Sequence, residues 1–338
     1  TNLAITANSS YAGLFGYSTG TIRDLNVYGI VEGGSYTGGI AGYSSAGLTS
    51  CLFNGSVTGG GYVGGIVGSK SGGSLSGSSA YGTVRGSGSR AGGIAGSSSG
   101  ATFSNNVFAG TVSGSNRVGG IVGDNSGGSI SSCSAGTQVN GGQYVGGIAG
   151  YSSSADFDSC SFTGFVNATG GNAGGITGYD TGGAIESSSV AGSVSGGSQT
   201  GGIAGYCENT YINFTEATAN VEGGDQTGGL TGFSVGVDYA NNSFNSAVSG
   251  LDYVGGLSGQ AESFSNVWGA FSGQVAGSNN VGGLVGYGDT GIIENTSCSA
   301  SVQASGNVAG GMAGQSDSID FVDSVFNGGV SGDSYVGG

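Results

Sequence analysis

A five-residue block, Gly-Gly-aliphatic-small-Gly, recurs along this chain every 26 to 28 residues. It stands at Gly38-Gly39-Ile40-Ala41-Gly42, again at Gly64-Gly65-Ile66-Val67-Gly68, and so on to Gly310-Gly311-Met312-Ala313-Gly314. A degenerate copy, Ala12-Gly13-Leu14-Phe15-Gly16, precedes them. Self-similarity at a fixed period of this size marks a repeat architecture, in which each unit buries its apolar face only by stacking on the next.

Of the 338 residues, 81 are Gly and none is Pro. Collagen needs Gly at every third position with abundant Pro, so that class is excluded. A flexible Gly/Ser linker is excluded by the apolar residues, which fall in strict columns. The third position of the block is aliphatic in every copy, from Leu14 and Ile40 to Met312, and the fifth is always Gly. Further into each repeat stands an unbroken Val column, Val31, Val57, Val84 and on to Val330. Four residues before it lies a second column (Val27, Phe53, Ala80, Phe108) and nine before it a third (Ile22, Leu48, Ile130, Phe157). The copy at 255–281 breaks the third column with Asn266, flanked by Phe264, Val267 and Trp268.

Spacing of two within each short run, as in Phe108-Ala109-Gly110-Thr111-Val112, belongs to strands. Helices are disfavoured by the glycines, each costing about 1 kcal/mol against Ala in a helix interior. Each repeat reads as three short strands: one through the Gly-Gly-Ile block, one around the Ile130 column, one ending at the Val column. The expected fold is all-β, a parallel β-solenoid with about 27 residues per coil and roughly twelve coils. Like residues then stack into inward ladders, and the lack of Pro leaves strand N–H groups free to pair with the next coil. A β-propeller would need longer repeats of about 40–50 residues. Residues 1–338 read as one array that begins and ends inside a coil, without evident caps. A bare terminal coil needs a cover, either a longer array or a second copy docked head to tail.

Charge is unevenly placed. All five basic residues, Arg23, Lys70, Arg85, Arg90 and Arg117, lie in the first 117 positions, and most of the 20 acids follow them. The expectation is one mildly positive and one strongly negative end, which favours end-to-end docking and argues against a nucleic-acid partner. No apolar run reaches membrane-span length and no signal peptide is visible, so membrane insertion is not expected.

From Val118 to Ala149 the repeat reads Val-Gly-Gly-Ile-Val-Gly-Asp-Asn-Ser-Gly-Gly-Ser-Ile-Ser-Ser, then Gly136, Val139, Gly141 and the next Val145-Gly-Gly-Ile-Ala. This closely resembles the GLUG-motif repeats of bacterial surface proteins, over essentially the whole chain. The resemblance implies a secreted or cell-surface module, in large adhesins or in stalks beside surface peptidases, and it carries no catalytic residues.

With no His in the chain, His-based triads and His-containing zinc sites are excluded. The nearest carboxylate pairs, Asp156/Asp158 and Asp320/Asp323, read as solvated acids, because a uniform repeat leaves no insertion to build a cleft. No enzyme activity or resident cofactor is expected. The acid-rich second half admits loose Ca²⁺ binding, without the Gly-Gly-x-Gly-x-Asp array of calcium-bound solenoids. Of five Cys, Cys133 and Cys160 share a column in consecutive coils, at a spacing within disulfide range. Six Asn-x-Ser/Thr sequons, at Asn8, Asn54, Asn167, Asn213, Asn241 and Asn295, are candidate N-glycosylation sites. Four of the last five lie an odd number of residues from the Val column, where a strand points outward. The function expected is a non-enzymatic extracellular structural or adhesive rod, partnered by its own kind or by surface glycans. The alternative is a ligand-binding solenoid that recognises glycan on a flat β face, with ice a more distant ligand because Thr is irregular.

Overall fold

Every coil lays down strands on three sheets, and each strand pairs in parallel with its equivalent in the next coil. The structure is a computed structural model describing residues 3–7 and 10–337, in two compact units, Thr1–Asn167 and Ala168–Gly338. The fold is a parallel β-solenoid of about 12 turns of about 27 residues, with no helix among the described residues.

In the first unit the long sheet holds Leu3–Thr6, Asn26–Glu32, Leu52–Gly59, Ser79–Gly86, Val107–Ser113 and Ser134–Gly141. Its register puts Ile5, Val31, Val57, Val84, Val112 and Val139 under one another, as the Val column requires. The short sheet holds two- and three-residue strands such as Tyr36–Gly38, Tyr62–Gly64 and Arg90–Gly92. The third, bent sheet is interrupted in each coil, as at Val67–Ser71 and Ser74–Ser76. In the second unit its strands mostly run ten residues, as in Thr177–Glu186 and Ala204–Asn213.

The strand expected through the Gly-Gly-Ile block is split by a corner. Tyr36–Gly38 ends at the first Gly, Gly39-Ile40 bends, and Ala41–Ser44 starts the bent sheet. The reason is steric. A Cβ on Gly68 would stand 2.6 Å from both Thr37 N and Gly42 O of the preceding coil, so short and bent strands meet backbone to backbone. A Cβ on Gly229 would stand 2.6 Å from Cγ of Phe244, so the long-sheet ring packs flat on the corner. Repulsion of this kind is avoided only by leaving the side chain out.

The three apolar columns fill the interior. Ile40, Ile66, Leu48, Leu75, Phe103, Val57 and Val112 are all fully buried. In the second unit, Asn266 keeps the ladder register between Tyr239 and Ile293 despite its polarity. Its Nδ2 donates to Thr296 Oγ1 at 2.8 Å, beside Gly269, which has no side chain to offer. Phe264, two residues earlier, turns in and is nearly buried. Tyr239, in the same column, keeps its phenol paired with Thr231 Oγ1 at 2.6 Å, and burial pushes its pKa up.

One interior column is polar. Ser44, Lys70, Ser98, Asn125 and Ser152 stack on successive strands of the bent sheet, all buried. Ser98 Oγ, Ser152 Oγ and both amide atoms of Asn125 make no hydrogen bond to protein. Lys70 has no exposed surface, and its ammonium donates to Gly72 O. Burial lowers its pKa to about 8. The expected positive end is therefore weakened, since one of its five cations is inside.

Two predictions follow the steric and electrostatic arguments. Gly68→Ala should cost about 3 kcal/mol or more by overpacking, whereas Gly136→Ala, with open space at its Cβ, should be neutral or slightly stabilising; denaturant unfolding of the two variants reads the contrast. Lys70 binds its proton less tightly folded than unfolded, so its unfavourable contribution is complete below about pH 8 and fades as pH rises towards the ordinary lysine value. Lys70→Met should accordingly be more stable than the parent at pH 7, by at most about 3 kcal/mol. That gap should narrow as stability is measured from pH 7 to pH about 10.

Candidate functional site

Side chains pointing away from the core form columns of their own. In the first unit Tyr11, Tyr36, Tyr62, Arg90 and Arg117 succeed one another on the short sheet. Tyr17, Tyr43, Ser69, Ser97, Asp124 and Tyr151 do so on the bent sheet. Strand spacing of about 4.8 Å puts like rings at stacking distance. Tyr11 and Tyr36 stack at 4.9 Å, Tyr36 and Tyr62 at 4.7 Å, and Tyr17 and Tyr43 at 4.7 Å. The two columns touch edge to face, with Tyr11 6.0 Å from Tyr17.

The tyrosine run passes into a charged knot. Arg90 lies over the Tyr62 ring at 4.8 Å and Arg117 over the Tyr151 ring at 4.1 Å. Both guanidiniums reach the same Asp124 oxygen, Arg117 at 2.5 Å. Two of the four remaining cations are thus tied to a carboxylate. Such partly exposed contacts contribute roughly 0.5–1 kcal/mol each.

The second unit has fifteen acids and neither Lys nor Arg. Glu208, Glu262, Asp289 and Asp317 share a column of the bent sheet, with Val235 between the first two. Neighbouring donors offset the repulsion: Gln260 Nε2 donates to Glu262 at 2.7 Å and the Tyr287 hydroxyl to Asp317 at 3.0 Å. The bond to Asp317 raises the Tyr287 pKa, and burial, with Glu208 alongside, pushes Tyr206 up to about 12. Among the described residues no group of three or more His, Cys, Asp or Glu gathers in a way that would hold a metal ion.

The corner between bent and long sheets was not foreseen. One residue there is left-handed in each of twelve coils: Asp24, Ser50, Gly77, Asn105, Ser132, Ser159, Ser187, Phe214, Asn241, Trp268, Asn295 and Asp323. In ten coils the next residue is Asn, Ser, Thr or Cys, whose side chain engages groups at the corner, and Leu25 and Gly269 stand there in the other two. Asn106 Oδ1 accepts from Ser78 N at 3.0 Å and its Nδ2 donates to Leu75 O at 2.8 Å. Asn242 does the same for Thr215 N at 2.9 Å and Ile212 O at 2.8 Å.

Cys51, Cys133 and Cys160 belong to this inward row. Cys133 and Cys160 stand in adjacent coils, and both are buried. Cys133 Sγ donates to Ser131 O at 3.4 Å and Cys160 Sγ to Ile130 O at 3.2 Å. Burial pushes the Cys160 thiol up to about 12 and raises Cys133 too, so neither is a ready nucleophile.

Of the sequons, Asn54, Asn167, Asn241 and Asn295 are exposed and Asn213 is half-buried. The exposed four are those at odd offsets from the Val column. Asn8 lies outside the described residues. Asn213, Asn241 and Asn295 sit at the same corner, where Asn241 Nδ2 donates to Asn213 Oδ1 at 3.2 Å. Asp156 and Asp158 flank the buried Phe157 and face solvent, and Asp320 and Asp323 are exposed as well.

Removing the corner amide tests its role. Asn242→Ala strips partners from a buried N–H and a buried carbonyl and should cost about 2–4 kcal/mol. Asn242→Ser, the residue found in this row at Ser78 and Ser188, should recover part of that loss in the same thermal or urea unfolding measurement. Among the described residues no helix is long and apolar enough to cross a membrane. No family model matches the chain, and no curated protein is significantly similar to it.

Proposed function

We propose that this chain is a non-enzymatic structural or adhesive element of an extracellular, cell-surface protein, either a segment of a longer array or a subunit that docks head to tail. The observation that carries this reading is the unbroken register, in which outward columns as well as inward ones repeat from coil to coil. A surface built by repetition offers outward positions at fixed spacing along the array, which suits extended attachment better than it suits a single catalytic cleft. Resemblance of the repeat to GLUG-motif surface proteins supports the extracellular setting. The second reading, a solenoid that recognises glycan, is favoured by the solvent-facing rings of Phe165, Phe214 and Trp268, each about 60% exposed.

Antibody labelling of intact producing cells tests the location: labelling without permeabilisation is expected, and labelling only after permeabilisation would sink the reading. A structural array also tolerates loss of a whole coil. Deleting residues 94–120, one 27-residue period, rejoins Gly93 to Ile121 in register. That variant should keep its β circular dichroism and cooperative unfolding, while removal of half a period should abolish both.

A further inference from the structure

At the bent-to-long corner of the second unit, two aromatic residues occupy positions that stability alone does not favour. Phe214 and Trp268 sit at the left-handed corner with φ of 50° and 62°, and are 62% and 61% exposed. The other ten coils place Asp, Ser, Asn or Gly there. A left-handed backbone costs a bulky residue about 1–2 kcal/mol, and an exposed ring gains little burial in return. An observed outlier of this kind points to function.

The rings are two coils apart, with Asn241 between them, so their attachment points are separated by about 10 Å. Tyr211, three residues before Phe214, is 39% exposed. Hydrogen-bonding groups flank the strip. Asn213 and Asn241 pair with each other, Asp238 is exposed and accepts from Ser265 Oγ at 2.6 Å, and Glu294 accepts from Asn295 Nδ2 at 3.1 Å.

We propose that this corner is a binding strip for an extended β-linked amino-sugar chain of the glucosamine type. It rests on the glycan-recognising reading above and deepens it. An extended β-linked glycan advances by nearly one coil rise per sugar, so alternate sugars present a flat C–H face to Phe214 and to Trp268. The sugar between them meets Asn241. Stacking on an aromatic face is strengthened when the ligand carries a cation. Charge selects the same class: with fifteen acids and no Lys or Arg in this unit, ammonium-bearing sugars are attracted and uronate or sulfate chains repelled.

Trp268 is the only tryptophan, so its emission reports this strip and nothing else. The full chain, made in a host that does not N-glycosylate, is titrated at about 0.15 M salt with oligomers of equal length of glucosamine, glucose, galacturonate and lysine. The glucosamine oligomer should shift Trp268 emission to the blue and saturate. Phe214→Asn and Trp268→Asn, each the residue native to this corner elsewhere, should weaken binding tenfold or more by calorimetry, about 1.4 kcal/mol. Tyr28→Asn, an exposed ring of the first unit, should leave binding unchanged. The proposal is overturned if the glucosamine oligomer gives no saturable shift, if the lysine oligomer gives the same one, or if the galacturonate oligomer binds as tightly. It is equally overturned if the two corner variants bind like the parent. Saturable binding of the glucose oligomer as tight as that of the glucosamine oligomer would overturn the amino-sugar proposal while leaving the glycan-recognising reading standing, so the two fail separately.

Discussion

Direct backbone contact between the short and bent strands sets the cross-section of every coil. It exists because Gly42, Gly68 and their equivalents carry no Cβ where the preceding coil passes. With that thickness fixed, each coil presents the same outline to the next, and the parallel ladders on all three sheets close in register. The Phe and Val columns then fill what space is left. Where Phe244 packs against Gly229, ring and missing side chain are two halves of one fit.

Polar groups inside this thin core are handled locally. At the bent-to-long corner an inward Asn, Ser, Thr or Cys takes up freed backbone groups in most coils, Leu25 and Gly269 being the departures. Asn266, beside Gly269, donates to Thr296 Oγ1 of the next coil, while its own Oδ1 has no protein partner. The polar column of the bent sheet is the exception: Ser98, Asn125 and Ser152 have side-chain atoms with no protein partner, and Lys70 is an ammonium in the same row. The structure gives it one carbonyl acceptor and no carboxylate. Outside, the two units differ in kind. The first balances five acids against five bases and knots Arg90 and Arg117 onto Asp124, whereas the second is acidic throughout.

The coil, its period and its inward columns were legible in the sequence because burial selects the same residue type in every repeat. Ile5 falling under Val31 is a direct example. The corner within Gly39-Ile40 was not legible, because spacing alone does not tell a strand from a bend when the deciding contact is with a different coil. Outward columns escaped notice for the opposite reason: Tyr62 is followed by Arg90, and Tyr43 by Ser69, so no single residue type repeats. The left-handed corner hid in the same way, since Asp, Ser, Asn, Phe and Trp all take that conformation. Position seven before each Val was the available signal, and it lies in no apolar column.

Because that corner holds its backbone shape whatever stands there, the residues occupying it are released from the task of specifying the fold. Exchanges along the row leave the interior untouched, and only a bulky side chain meets the cost of the left-handed backbone. A molecule built this way carries a row of open positions beside a repeated frame, and its contacts with the outside can differ coil by coil while its architecture stands still.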